Sequence, residues 1–325
     1  MNIVILDYIT LGEDLDLSPA SRFGTVIKYE TSTQDEAKER VKDADIIIVN
    51  KVKMVEDVLV NAPNLKLICE TATGYDNIDL EYCKAHGITV CNTPAYSTYC
   101  VAQVTVAMAS YLMTSLGQYR DFVHNGDYSK SASANMLKPV YHEFYGRTWG
   151  IIGFGNIGKA VYDVAKALGC NVIVNKRTPL SEFECVSLEE LLKRSDIISI
   201  HCPLTDLTRG MIGENEIALM KKDAIIINVA RGAVWDESAI ANAILENSIG
   251  GLGCDVYSVE PFRNDHPFSK ILDKENVCLT PHMAWGAFET RTRCFNTVVS
   301  NIEAYLSGCP KNVVNWLKNA IALLQ

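Results

Sequence analysis

Three ionisable residues, each beside an apolar run, have the types to do chemistry together: Arg231 after AIIINVA, Glu260 in CDVYSVEP and His282 at the end of VCLTPH. A guanidinium at a buried strand end can grip a carboxylate through two hydrogen bonds and polarise an adjacent carbonyl. An imidazole can deliver a proton near neutral pH, and a neighbouring carboxylate stabilises its charged form and fixes its tautomer. Singly, each has a plain structural reading: a solvated arginine, a hydrogen-bonded histidine, and a glutamate serving turn chemistry before Pro261. Together they describe a site that holds an anion and moves a proton onto a neighbouring oxygen.

A glycine-rich stretch, TWGIIGFGNIG from Thr148 to Gly158, supplies a second chemistry. Gly153, Gly155 and Gly158 satisfy G-x-G-x-x-G, in which the glycines in turn allow a tight turn, close backbone approach to a pyrophosphate, and packing of helix on strand. The helix that follows would point its unbonded N–H groups at the phosphates. The context agrees with that reading: Ala160, Val161, Val164, Ala165 and Leu168 keep helical spacing, Gly169 suits a C-cap, and Asn171 to Asn175 reads as the next strand.

The elements that must carry these residues form two series. Before residue 100, apolar runs at Ile3–Leu6, Thr25–Tyr29, Asp45–Val49, Leu65–Cys69 and Ile88–Cys91 alternate with charged, helix-compatible segments such as Ser32–Asp43. From Gly150 a second series follows at 150–153, 171–175, 196–201, 224–229, 250–255 and 277–279. Short buried strands separated by helices predict an α/β protein with two Rossmann-like domains, their parallel sheets flanked by helices. Ligands bind beyond the carboxyl ends of such strands, and those ends here are Gly153, Lys176, Cys202-Pro203, Ala230-Arg231, Asp255 and His282. Between the series, Ser97 to Leu116 reads as one long apolar-rich helix, and Gly126 to Pro139 as a polar loop. The C-terminal tail is mostly helical in pattern, with a break near Gly308–Pro310 and a short extended piece at Asn312–Val314.

Bulk properties narrow the class. A chain of 325 residues suffices for two cores, and a net charge of −9 without a local basic patch argues against a nucleic-acid surface. The N-terminus turns acidic within a few residues, unlike a secretory leader, and the apolar stretch Val101–Met113 is shorter than the roughly 18 residues of a membrane span. The 11 cysteines include no C-x-x-C pair, and several lie in strand-like runs as small hydrophobes. A reducing, cytoplasmic protein with no cysteine-built metal site is expected.

The ordered motifs TATGYDNID, GITVCNTPAYST, VAQ, GIIGFGNIG, HCPLTDLTRGMI, INVARGAVWDE, CDVYSVEP, LTPHMAW and NVVN run almost end to end. In them the chain resembles the D-isomer-specific 2-hydroxyacid dehydrogenase family, with LTPHMAW and VAQ most like the hydroxypyruvate reductase or glycerate dehydrogenase branch. The resemblance implies NAD(P)H-dependent, reversible reduction of a 2-oxo acid to a D-2-hydroxy acid. Arg231 would bind the substrate, His282 donate the proton and Glu260 hold His282 protonated. Asn156 and Ile157 would lie at the pyrophosphate, Cys202, Pro203 and Thr208 along the nucleotide, and Val229 and Ala230 beside the nicotinamide, with Asp255 meeting its carboxamide. Thr73 and Gly74 would offer N–H groups to the substrate carboxylate, while Tyr96 and Trp285 wall the pocket. The implied architecture is a flavodoxin-like substrate domain of residues 1–98 plus 288–325 and a dinucleotide domain of 99–287, in a homodimer formed through the long helix.

One departure from the family pattern bears on the cofactor. NAD-preferring relatives place an acidic residue after the second strand of the cofactor domain, where this chain has Lys176, Arg177 and Thr178. Two cations and a hydroxyl would attract a 2′-phosphate, so NADP(H) is expected to be favoured or tolerated, with NAD(H) the alternative. Tyr75, Tyr96 and Trp285 fit either an aromatic 2-oxo acid, a lactate-type substrate, or a cavity closed around glyoxylate or hydroxypyruvate. Formate dehydrogenases share the fold but pair their histidine with glutamine, which Glu260 contradicts. A nucleotide-sensing corepressor on the same scaffold is the rival from another class, separable by the absence of turnover.

Overall fold

The structure, a computed structural model, describes residues 1–315. The chain divides into two compact units, Met1–Ser97 joined by the chain from Gly286 onward, and Thr98–Trp285.

In the first unit, β1 (Asn2–Ile5), β2 (Thr25–Lys28), β3 (Ile46–Val49), β4 (Leu67–Glu70) and β5 (Thr89–Cys91) form one parallel sheet in the order β2-β1-β3-β4-β5. This is the flavodoxin-like order. Its central strands, β3 and β4, are β-branched or apolar but for Glu70 at the end of β4, because helices cover both faces, and every residue of β3 and β4 is buried. The edge strand β2 is mostly exposed. A capping box at Thr33 and Glu36 starts the helix Gln34–Arg40, as expected for a threonine three residues before a glutamate. The extended piece near Val313 pairs antiparallel with Cys91, and Val90 N–H donates to Asn315 Oδ1 at 3.0 Å. The helical pattern after residue 315 lies outside the described residues.

In the second unit, β6 (Thr148–Ile152), β7 (Asn171–Asn175), β8 (Ile197–Ile200), β9 (Ile225–Asn228), β10 (Gly251–Cys254) and β11 (Val277–Leu279) are all parallel, in the order β11-β10-β9-β8-β6-β7. The strand order reverses between β6 and β8, so the crevice of this doubly wound sheet opens beside the Gly153 turn. Trp149, wholly buried on β6, donates its indole N–H to Ser199 Oγ on β8 at 2.9 Å, which satisfies a polar atom that burial would otherwise penalise.

The helix expected from Ser97 to Leu116 runs from Thr98 to Met113, and a second helix, Leu116–His124, follows it at a bend of 66°. Ser110 Oγ bonds the Val106 carbonyl at 2.8 Å and Thr114 Oγ1 the Ser110 carbonyl at 2.7 Å. Hydroxyls bonded back onto the preceding turn weaken the end of a helix, and Ser115 then leaves it with φ +50°. Among the described residues no single helix is long and apolar enough to cross a membrane.

Candidate active site and cofactor turn

Two of the three glycines of the turn after β6 are required by packing. Gly153 has φ +90°, and a Cβ there would run into the backbone of Cys202 at the end of β8. Its N–H donates to the Asn175 carbonyl at 2.9 Å, which ties the turn to the end of β7. A Cβ on Gly158 would strike the Gly153 carbonyl, so helix and turn pack without a side chain between them. Gly155 is the contrast: a Cβ built there meets nothing within 4 Å. It is the N-cap of the helix Asn156–Ala167 and makes no side-chain capping bond. The open space above Gly155 and the first-turn N–H groups of Asn156, Ile157 and Gly158 form a cradle that fits a pyrophosphate.

The remaining cofactor candidates follow the neighbouring strands at the same edge. Lys176 is half-buried just past β7, with Arg177 and Thr178 exposed beyond it. After β8, Cys202 is buried and Pro203 exposed, and Thr208 Oγ1 closes the loop by accepting from Thr205 N–H at 2.8 Å and donating to the Pro203 carbonyl at 2.7 Å. After β9, Val229 is buried and Asn228 staples the turn, with Oδ1 accepting from Ala230 N–H and Nδ2 donating to the Arg231 carbonyl, both at 2.9 Å. Arg231 is half-buried, and its Nη1 donates to the Ala230 carbonyl at 2.8 Å.

Glu260 and His282, far apart in sequence, meet directly: Nδ1 of the imidazole lies 2.6 Å from Glu260 Oε2, and each side chain is about a quarter exposed. The other carboxylate oxygen accepts from Tyr257 N–H at 3.0 Å, so Glu260 is held from both sides. His282 has φ +53°, a left-handed conformation that a side chain bearing a ring adopts at a cost. Asp255 holds that turn in place. Its carboxylate accepts from Thr280 Oγ1 at 2.5 Å, Met283 N–H at 2.8 Å and Ala284 N–H at 2.9 Å, bracketing His282. Burial pushes the Asp255 carboxyl above the usual range, and these hydrogen bonds oppose the shift. Both Asp255 oxygens thus take part in holding the histidine turn.

The substrate candidates divide between the units. Thr73, Gly74 and Tyr96 belong to the first, Trp285 to the second. Thr73 Oγ1 donates to the Thr93 carbonyl at 3.0 Å, and its own carbonyl accepts from Asn92 Nδ2 at 2.8 Å, which fixes the loop carrying Gly74. Tyr96 is buried, and its carbonyl accepts from Arg293 Nε at 3.2 Å. Trp285 packs, partly buried, on the core behind β6 and β9.

Sequence reasoning passed over three polar residues, His201, Glu237 and His266, that the structure encloses wholly or in part. His201, just past β8, is half-buried, with Nε2 3.0 Å from Ser199 Oγ, and burial lowers its pKa to about 3. Glu237 and His266 form a buried pair behind the Glu260 loop. His201 opens the motif HCPLTDLTRGMI and Glu237 ends INVARGAVWDE, while His266 lies outside every quoted motif, and neither motif reveals what the side chains touch.

A doubly wound sheet with a glycine cradle and an Arg, Glu and His set along one edge defines the class, an oxidoreductase that works with a dinucleotide. Residues 106–284 match the model of the D-isomer specific 2-hydroxyacid dehydrogenase NAD binding domain. The chain is 35% identical to a hydroxypyruvate reductase of Blautia hydrogenotrophica over 97% of its own length and 100% of the relative's. It is 38% identical to a glycerate dehydrogenase of Methylorubrum extorquens, over 88% of this chain and 91% of that one. Among solved structures, D-lactate dehydrogenase from Aquifex aeolicus, complexed with NAD and lactic acid, superposes with a TM-score of 0.85 at 31% identity, covering 98% of this chain and 100% of that one. The chain therefore belongs to the D-isomer specific 2-hydroxyacid dehydrogenase family, and is an enzyme of that family with a nicotinamide cofactor.

Proposed function

We infer that this protein reduces a small 2-oxo acid, of the hydroxypyruvate or glyoxylate kind, reversibly to the D-2-hydroxy acid. The observation that carries the reading is the 2.6 Å contact between His282 Nδ1 and Glu260 Oε2 at the sheet edge that also bears the Gly153 turn and Arg231. The cofactor, when bound, supplies or accepts the hydride. Arg231 grips the substrate carboxylate, assisted by the Thr73–Gly74 backbone, and polarises the adjacent carbonyl, drawing electron density from its carbon onto its oxygen. His282 gives its proton to the oxygen as negative charge grows there, and Glu260 holds the ring in the tautomer and orientation for that transfer. In the oxidative direction neutral His282 takes the proton back. Val229, Ala230, Cys202, Pro203 and Thr208 line the nucleotide, and Tyr96 and Trp285 bound the substrate.

Lys176, Arg177 and Thr178 select for a 2′-phosphate, so NADPH is favoured or at least accepted beside NADH. The support is their position just beyond β7, whose last carbonyl is bonded to Gly153. Exposed large apolar side chains crowd residues 99–145, among them Tyr99, Leu116, Leu137, Val140 and Tyr145, which supports a homodimer formed through this region. All 11 cysteines are free, most of them buried, in keeping with a reducing cytoplasm.

The test is oxidation of NADPH and NADH with glyoxylate, hydroxypyruvate, pyruvate, 2-oxoisocaproate and phenylpyruvate. Turnover is expected to be fastest with one of the first two, giving the D-isomer where the product is chiral. No turnover of any of the five would overturn the reading.

A further inference from the structure

The Glu260–His282 pair is set up by a buried network one layer further from solvent. Glu237, the first residue of the helix Glu237–Leu245, is 9% exposed, yet both its carboxylate oxygens are engaged. Oε1 accepts from Ser258 N–H at 2.8 Å, and Oε2 accepts from the Ser258 hydroxyl and from His266 Nε2, the latter at 3.0 Å. His266 Nδ1 accepts from Phe268 N–H at 3.2 Å, so Nε2 carries the ring proton and points it at Glu237. The ring is packed among Tyr257, Phe262 and Phe268, which fixes its plane.

Ser258 sits between Tyr257, whose N–H holds Glu260 Oε1, and Glu260 itself. The same segment is pressed against the Arg231 loop, because a Cβ on Gly232 would run into the Tyr257–Ser258 peptide. A carboxylate at a helix start is favoured by the helix dipole, but an acidic side chain buried this deeply is costly unless every oxygen is paired. This chain pairs all of them with one short segment, two residues from Glu260.

We propose that Glu237, oriented by His266, is a positioning residue: it clamps Ser258, so that the Tyr257 N–H takes one oxygen of Glu260 and leaves the other facing His282. The inference rests on the reading that Glu260 orients His282 for proton transfer. Its direct consequence is that Glu237 influences turnover only while Glu260 is present.

A double-mutant cycle on the full-length enzyme tests this, with kcat, KM, nucleotide affinity and melting temperature measured for Glu237→Gln, Glu260→Gln and the double variant. Glu237→Gln is expected to lower kcat about tenfold, with KM and nucleotide affinity within about twofold of the parent, and to lower it by less than about twofold when Glu260 is already Gln. An equal loss in both backgrounds, or no loss in the parent, would overturn the proposal. If Glu237→Gln does not fold, Ser258→Ala, which removes only the hydroxyl donor, takes its place in the cycle under the same criteria. A Glu260→Gln enzyme with unchanged kcat would instead defeat the parent reading, and the two failures are thus distinct.

Discussion

His282 meets Glu260 through Nδ1, which leaves Nε2 as the ring nitrogen able to exchange a proton with a ligand. The left-handed backbone of His282 lies in a turn held by the three hydrogen bonds that Asp255 accepts. Pairing and backbone geometry therefore both reach this imidazole, beyond β11, from the segment that follows β10.

Replacing His282 by Asn removes the proton donor without enlarging the side chain. In steady-state assays kcat is expected to fall by roughly 10²- to 10⁴-fold, the span typical of general acid–base catalysis, with nucleotide affinity unchanged. Retention of more than a tenth of the parent kcat would argue that the proton comes from elsewhere.

The three glycines of the cofactor turn give separable outcomes. Gly155→Ala meets no atom within 4 Å, so the protein should melt at its parent temperature while binding nucleotide more weakly by titration. Gly158→Ala drives a methyl group into the Gly153 carbonyl and should cost about 1–3 kcal/mol of folding stability. A Gly155→Ala variant with parental nucleotide affinity would show that the open space there is not used.

Lys176→Asp with Arg177→Ala places an acid where a ribose hydroxyl could bond to it and removes both cations. The ratio of kcat/KM for NADPH over that for NADH should drop at least about tenfold, since charge-assisted hydrogen bonds of this kind contribute about 1.5–3 kcal/mol each. A parent enzyme that clearly prefers NADH would defeat the assignment before any variant is made.

His201 makes folding stability depend on pH. Its folded-state pKa, about 3, lies below the unfolded value of 6.5, so its contribution is complete above pH 6.5 and is lost as pH falls toward 3. For one such group the loss between pH 7 and pH 5 is about 2 kcal/mol. Urea denaturation of His201→Asn across that range should show a correspondingly flatter pH dependence than the parent; identical slopes would mean that the ring is not buried neutral.

The sequence alone determined much of this molecule. Alternation of apolar strands with amphipathic segments yielded both parallel sheets, and the strand positions agree with the structure to within a residue or two, because a strand buried on both faces is predominantly apolar. Parallelism then put the ends of β6 to β11 along one edge, so residues such as Gly153, Arg231 and His282 could be picked out before any coordinates. The break at Ser115 was not legible, since hydroxyls at Ser110 and Thr114 are compatible with a continuous helix until they bond backward. What the tertiary structure alone decided is how the loops beyond those strands are bonded. Nothing local in the sequence says that Asp255 brackets His282, that Gly232 presses on Ser258, or that Glu237 and His266 stand behind Glu260. Hydrogen bonds between loops depend on strand order and register, which bring residues distant in sequence to within 3 Å, whereas a motif records only neighbours along the chain.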